Sequence, residues 1–306
     1  MARNTPRMLA AIALCAVAGA GLAGCEDGVP GVDPTPAADA SAKESGKESG
    51  KDLLTGTKKI TVGDRSVNVS CSGKQVEDRP TVVLLHGAGD DLTKMAALQK
   101  TLSADGRVCS YDRIGAGASD RPAGPQDLDA VGKTLTGVIE KTAGGGPVVL
   151  AGHSLGGLIA ARYAPDHQDK VKGLVLLDAT SPSAGTDLEK RIPESATGPA
   201  GDMRAQILAT YEGQNPEQLV FEDGEVRSAG DIPVQVIQHG QPYLAAMLPE
   251  YGEGLEEDWT KGQKAWPALS GNSELSTAKN SGHHIYLDEP EVAVEAIRSV
   301  TAQAAG

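Results

Sequence analysis

Hydrophobic and polar residues first alternate where the folded part of the chain begins. Ile60, Val62, Val67 and Val69 fall at every second position on either side of Gly63-Asp64, which predicts a hairpin of two half-buried strands. Thr81-Val82-Val83-Leu84-Leu85 then runs without a polar break to His86-Gly87. A short run with no polar face suits a strand covered on both sides in a parallel sheet. Three more follow, at 107–111, 147–151 and 171–177, and the segments 92–103, 128–141 and 155–164 between them carry helical spacing. Strand and helix in alternation predict an α/β domain with right-handed crossovers.

Two stretches depart from that rhythm. Residues 181–230 carry Pro182, Pro193, Pro199 and Pro216, many acidic residues and only short helical stretches such as 203–211. They are expected to form a lid inserted above the sheet. Strands resume at 232–237 and around 276–279, and a helix over 291–302 closes the chain. The other departure is the N-terminus. Arg3 and Arg7 precede an apolar stretch over 8–22 that ends in small residues, the pattern of a secretory signal too short to be a spanning helix. Its junction Leu22-Ala23-Gly24-Cys25 resembles the bacterial lipoprotein signal, which implies lipidation of Cys25 as the mature N-terminus. Residues 25–57, with three prolines and a Lys-Glu-Ser-Gly repeat, have no apolar face to bury and predict a flexible tether. The expected division is therefore a signal at 1–24, a tether at 25–57 and one α/β domain at 58–306.

Composition sharpens this in two respects. Aromatic residues make up 3% of the chain against 40% hydrophobic overall, so the core must be built from aliphatic side chains. The formal net charge is −13, and loss of a signal holding two arginines and no acid leaves a chain two units more negative. Such acidity argues against nucleic acid and against an anionic membrane surface as partners. A membrane is expected as partner only through the lipid, and the charge says little about a small-molecule substrate. Export onto the outer face of a cell membrane also accounts for the cysteines. Once Cys15 leaves with the signal and Cys25 carries lipid, Cys71 and Cys109 remain. In an oxidising compartment they are expected to pair as a disulfide joining two neighbouring strands.

The strongest chemical signal is Gly152-His153-Ser154-Leu155-Gly156, placed between an apolar strand and a helix. Glycine-serine strings are common by chance, but strand, sharp turn and helix are what a nucleophile elbow requires. At this point the chain resembles the α/β-hydrolase superfamily, in its lid-bearing serine esterase, lipase and peroxidase-like branch. The resemblance rests on His86-Gly87-Ala88-Gly89, the stretch from Tyr111-Asp112-Arg113 to Ser119-Asp120, the Ser154 elbow, Leu176-Leu177-Asp178, and Gly282-His283 followed by Pro290. It implies a mostly parallel sheet of about eight strands flanked by helices. It also implies Ser154 as nucleophile, His283 as base, the N–H groups of Ala88 and Leu155 as oxyanion donors, and no cofactor.

The third triad member departs from the commonest family pattern. The strand after the lid is followed by Gln238-His239-Gly240-Gln241-Pro242, with no carboxylate. Asp178, at the C-terminal tip of the strand before the lid, stands where ligand sites gather in parallel sheets and keeps the order Ser, Asp, His. Asp258 is the reserve. His86, His153 and His239 are expected to be structural neighbours, and Asp112-Arg113 to pin the loop after its strand. No HExxH, Cys-x-x-Cys or clustered His and carboxylate pattern argues for a metal. The reading is a serine hydrolase cleaving an ester-like bond through an acyl-enzyme. Amide, thioester or carbon–carbon hydrolysis with the same triad, and a catalytically idle lipoprotein that binds a small molecule, remain open.

Overall fold

The computed structural model describes residues 53–305. The expected signal, Cys25 and nearly all of the expected tether lie outside them. The first strands, β1 (Gly56–Val62) and β2 (Arg65–Ser72), form the hairpin that the alternation predicts, turning through Gly63-Asp64 with Val62 opposite Arg65. β2 buries Val67, Val69 and Cys71 and leaves its intervening residues part-exposed. β1, on the sheet edge, is mostly exposed.

The remaining strands are β3 (Thr81–Leu85), β4 (Val108–Tyr111), β5 (Val148–His153), β6 (Val171–Leu177), β7 (Val234–His239) and β8 (Ser273–Ala278). The eight stand in the order β1-β2-β4-β3-β5-β6-β7-β8. β1 and β2 run antiparallel to their neighbours, and every pair from β4 through β8 is parallel. β3 and β5 are buried along their whole length, which explains their unbroken apolar composition.

Because side chains alternate across a sheet, each central strand feeds two cores. Val83, Leu85, Leu150, Leu174 and Leu176 pack on one face, against α2 (Leu128–Thr142) and α3 (Leu155–Tyr163). Val82, Leu84, Val149, Val175 and Leu177 pack on the other, against α1 (Ala96–Leu102) and the C-terminal helix at 290–303. α2 presents Val131, Leu135, Val138 and Ile139 on one stripe, and Asp127 caps its start by accepting from the Ala130 N–H at 2.8 Å. A cap of this kind is worth about 1 kcal/mol.

The inserted stretch is more helical than its prolines suggest. It contains α4 (Ala184–Arg191) and α5 (Gly198–Tyr211), and the connection from β7 to β8 adds α6 (Tyr243–Met247) and α7 (Gly252–Ala265). These helices share a third small core, with Leu188, Ile192, Ala200 and Leu248 buried against Met203, Ile207 and Leu255. The helices above the sheet thus come from two separate stretches of sequence. α8 (Ile285–Asp288) and α9 (Pro290–Gln303) complete the chain.

Two polar anchors hold the loops that border the sheet's C-terminal edge. The Asp112 carboxylate accepts from the Leu92 and Ala118 amides at 2.7 and 2.8 Å and from the Asn68 side chain at 2.8 Å. Beside it, the buried Arg113 guanidinium donates to Glu217 through two bonds of 2.7 and 2.8 Å and to the His86 and Gly87 carbonyls at 2.6 and 2.8 Å. Asp112-Arg113 therefore pins its loop as expected, and also ties the end of β3 to the inserted stretch.

Cys71 and Cys109 face each other in the β2–β4 register and form a disulfide across 38 residues of chain. Closing a loop of that length in the unfolded state corresponds to about 3–4 kcal/mol in the chain-entropy account. Thiol titration of the denatured, unreduced protein should find neither cysteine free. The Cys71→Ser/Cys109→Ser protein should lose about 2–4 kcal/mol of unfolding free energy in a urea titration. Two reactive thiols in the unreduced protein would refute the bridge.

Candidate active site

The end of β5 forces an unusual turn. Ser154 directly follows the strand and caps α3, at φ 49 and ψ −119. A side chain at positive φ is strained, by about 1–3 kcal/mol, and persists only where its surroundings impose it. The surroundings here are backbone. A Cβ on Gly156 would lie 2.3 Å from the Leu85 carbonyl oxygen, and one on Gly152 would lie 2.4 Å from the carbonyl carbon of Gly156. Glycine at both positions lets β3, β5 and α3 close to this distance, and Ser154 is left at the tip of the turn. The Ser154 N–H continues the sheet ladder by donating to Leu177 O at 3.1 Å.

A cavity of about 840 Å³ opens over this edge of the sheet. Ala88, Ser154, Leu155 and His283 line its floor, and Met203, Ile207, Tyr211, Phe221, Leu244 and Trp259 line its upper wall. The Leu155 amide opens α3, where helix N–H groups favour negative charge. Among the described residues, neither the Ala88 nor the Leu155 amide has an acceptor. A narrower pocket of about 100 Å³ continues upward between α4, α5 and α7, past Leu188, Met203, Ile207 and Leu255.

Asp178 lies one residue beyond β6, fully buried, at φ 46. Its amide donates to Ile237 O at 2.8 Å, which locks it to β7. Its carboxylate accepts from His283 Nδ1 at 2.7 Å, Trp259 Nε1 at 2.9 Å, the His239 backbone N–H at 3.1 Å, and His239 Nδ1 at 2.9 Å to each oxygen. Burial alone would push its pKa up. The hydrogen bonds from His239 and His283 outweigh that and hold it at about 2. Asp178 is therefore an anion, and His283 meets it through Nδ1.

The structure thus brings Ser154, His283 and Asp178 together at one edge of the sheet. Asp258 is elsewhere. Its carboxylate is bound by Arg191 at 2.8 and 3.0 Å in a bridge from α7 to α4. The helical turn of α7 that places Trp259 against Asp178 sends its neighbour Asp258 toward α4, so it is Asp178 whose carboxylate meets the His283 ring.

The flanking histidines have separate tasks. His153 donates from Nε2 to the His283 backbone carbonyl at 2.9 Å, so the residue before Ser154 holds the loop that carries His283. Burial, and secondly the nearness of His283, push the His153 pKa down to about 3, leaving a neutral ring. His86, directly after β3, is fully buried and likewise kept neutral by burial. His239 is more than a passive neighbour. It joins Asp178 to Glu256, whose Oε2 lies 2.8 Å from His239 Nε2. Neither Glu256 nor Trp259 stood out from the sequence, since α7 carries no motif. The one available sign was a histidine at the tip of β7, where an acid is more common.

Comparison with known proteins agrees with this architecture. A sequence model described as alpha/beta hydrolase fold matches residues 80–206. The chain is 36% identical over 179 residues to a human (Lyso)-N-acylphosphatidylethanolamine lipase, covering 58% of this chain and 49% of that one. It spans half or less of the length of that relative and of its mouse and bovine counterparts. It is 34% identical over 191 residues to the pimeloyl-[acyl-carrier protein] methyl ester esterase of Chromobacterium violaceum, covering 58% of this chain and 68% of that enzyme. Among solved structures, a thermophilic esterase from Thermogutta terrifontis superposes with a TM-score of 0.55 at 20% identity, over 82% of this chain and 99% of the other. With its parallel sheet, its elbow and relatives that are esterases and lipases, this chain belongs to the alpha/beta hydrolase family.

Proposed function

We propose that this protein is a serine hydrolase that cleaves a carboxylic ester through a Ser154–His283–Asp178 triad. The observation that carries the reading is the buried Asp178 carboxylate 2.7 Å from His283 Nδ1, on the cavity where strained Ser154 is presented. An aspartate bound at Nδ1 fixes the imidazole tautomer, leaves Nε2 free to accept a proton, and stabilises the cation that results. Ser154 Oγ attacks the ester carbonyl carbon as its proton passes to His283 Nε2. The Ala88 and Leu155 N–H groups receive the oxyanion. Collapse of the tetrahedral intermediate breaks the carbon–oxygen bond, and the imidazolium returns its proton to the departing alcohol. Water then repeats the sequence on the acyl-enzyme and releases the acid.

The cavity's upper wall favours an apolar acyl group. Met203, Ile207, Leu244 and Trp259 border both the cavity and the narrower pocket, so an aliphatic chain attached at Ser154 has a continuous apolar surface to follow. The helices α4 to α7 serve as the lid in this reading. We further place the enzyme outside the cytoplasm, held to a membrane through lipid on Cys25. Support comes from the signal-like N-terminus and from a disulfide of the kind that persists in oxidising compartments.

A fluorophosphonate probe should label the wild-type protein at Ser154, and Ser154→Ala should abolish both labelling and hydrolysis of p-nitrophenyl esters. Asp178→Asn should lower kcat on the order of 10³–10⁴-fold; near-normal turnover would remove Asp178 from the triad. Ionised Asp178 also predicts an acid sensitivity. A carboxylate held at about 2 in the folded chain titrates near 3.9 when unfolded. Its contribution is complete above pH ~4 and is lost as pH falls toward 2, by about 2 kcal/mol. Urea titrations should show this loss in the wild type and a flatter profile in Asp178→Asn. Replacing Cys25 by Ala should move the protein from the membrane to the soluble fraction and abolish incorporation of labelled palmitate. Unchanged fractionation would exclude the lipid anchor.

A further inference from the structure

The geometry points to His239 as a positioning residue, an imidazolium clamped between Asp178 and Glu256 that orients the Asp178 carboxylate toward His283 and offsets its charge. This rests on the triad proposed above.

Both of the ring's partners accept. Asp178 takes Nδ1–H at 2.9 Å on each oxygen and the His239 backbone N–H at 3.1 Å. At the other end Nε2 meets Glu256 Oε2 at 2.8 Å. Glu256 Oε1 is itself occupied as an acceptor, by the Leu244 amide at 2.6 Å and the Ala245 amide at 3.3 Å, where α6 begins. A ring that must donate from both nitrogens carries two protons. Burial pushes the His239 pKa down, but the bonds to Asp178 and then Glu256 raise it above the ordinary histidine value. The groups facing it are Asp178 at the end of β6, Glu256 from α7, Tyr243 from α6 at a ring separation of 4.9 Å, and His283 through the shared carboxylate.

His239 is placed to act through Asp178 and not on substrate. Tyr243 and Trp259 line the cavity and pack against its ring. Asp178 Oδ2 accepts from His239 at 2.9 Å and from His283 at 2.7 Å. A cation on one side of a shared carboxylate disfavours a second cation on the other. In the free enzyme it resists premature protonation of His283, so the base stays neutral to lower pH. The carboxylate keeps its orientation when His283 becomes charged during turnover. This arrangement also explains how the chain dispenses with an acid after β7. The tip of that strand supplies a donor to the carboxylate of β6.

Two measurements on the full chain test this. In protein carrying ¹⁵N-labelled histidine rings, with His239 assigned by its loss in His239→Gln, the His239 ring should keep both its protons to a higher pH than an ordinary histidine. In Glu256→Gln the ring should lose its second proton at lower pH than in the wild type. A neutral ring in the wild type would overturn the proposal, whether or not an ester is turned over. The second measurement is the pH profile of kcat/KM for p-nitrophenyl acetate. In His239→Gln its acid limb should move up by about one pH unit while kcat falls. A purely structural role predicts lower kcat with the limb unmoved or shifted down, and that result also overturns the proposal. Should His239→Gln fail to fold, Glu256→Gln should show the same upward shift in smaller degree, and an unmoved limb there counts against the proposal. A wild type inert to both ester and fluorophosphonate sinks the hydrolase reading and the positioning role together, while the ring titration still decides the charge on His239.

Discussion

A carboxylate buried with no solvent exposure is costly unless every oxygen is satisfied, and Asp178 meets that demand with N–H donors from three directions. The donors belong to the tip of β7, to α7 and to the loop after β8, so one charged group ties together elements from across the C-terminal part of the chain. The tie works in both directions. The donors keep Asp178 ionised, and ionised Asp178 fixes the rings of His283, His239 and Trp259. Loss of any one donor would leave a buried anion underbound, which is why this corner is densely cross-linked by short polar contacts.

Backbone geometry imposes a second constraint on the same edge. Ser154 and Asp178 both sit at positive φ, one residue beyond adjacent parallel strands. Each amide nevertheless continues the ladder, Ser154 to Leu177 and Asp178 to Ile237. The sheet therefore reaches one residue further than its strands and positions both side chains by main-chain bonds. Around them, neutral His153 holds the His283 loop and Arg113 holds the loop after β3 against Glu217. The groups that surround the serine are thus carried on rigid elements or pinned by buried polar contacts, the condition for preorganised chemistry.

Much of the architecture was legible in the residues. Buried parallel strands must be apolar on both faces, so β3 and β5 announced themselves as unbroken runs and β6 as one broken only by Lys172 near its start, while the alternation around Gly63-Asp64 marked the edge hairpin. The elbow was legible because its glycines answer a local steric demand. The helices above the sheet were not. α4 to α7 bury only a small third core, share it between two distant stretches, and lie among prolines and acids that suggest loop. Their helicity is settled by contacts with one another, which no local window records.

What the sequence determined by itself was the order of the strands and of the helices that flank the sheet, the identity of Ser154 and His283 as the residues in motif positions, and an aspartate at the tip of β6. The strands and the elbow depend on periodicity or on steric rules that act within a few residues, whereas His283 was marked by its resemblance to the family motif. Tertiary structure brought the expected Asp178 to His283 and the expected Cys71 opposite Cys109, and it alone disclosed that Asp258 is consumed by Arg191 and that His239 bridges Asp178 and Glu256. Those outcomes join residues 38, 61, 67 and 105 positions apart or bring three elements to one point. They follow from strand register and helix packing, in which a side chain's partner is set by the whole sheet and not by its neighbours in the chain.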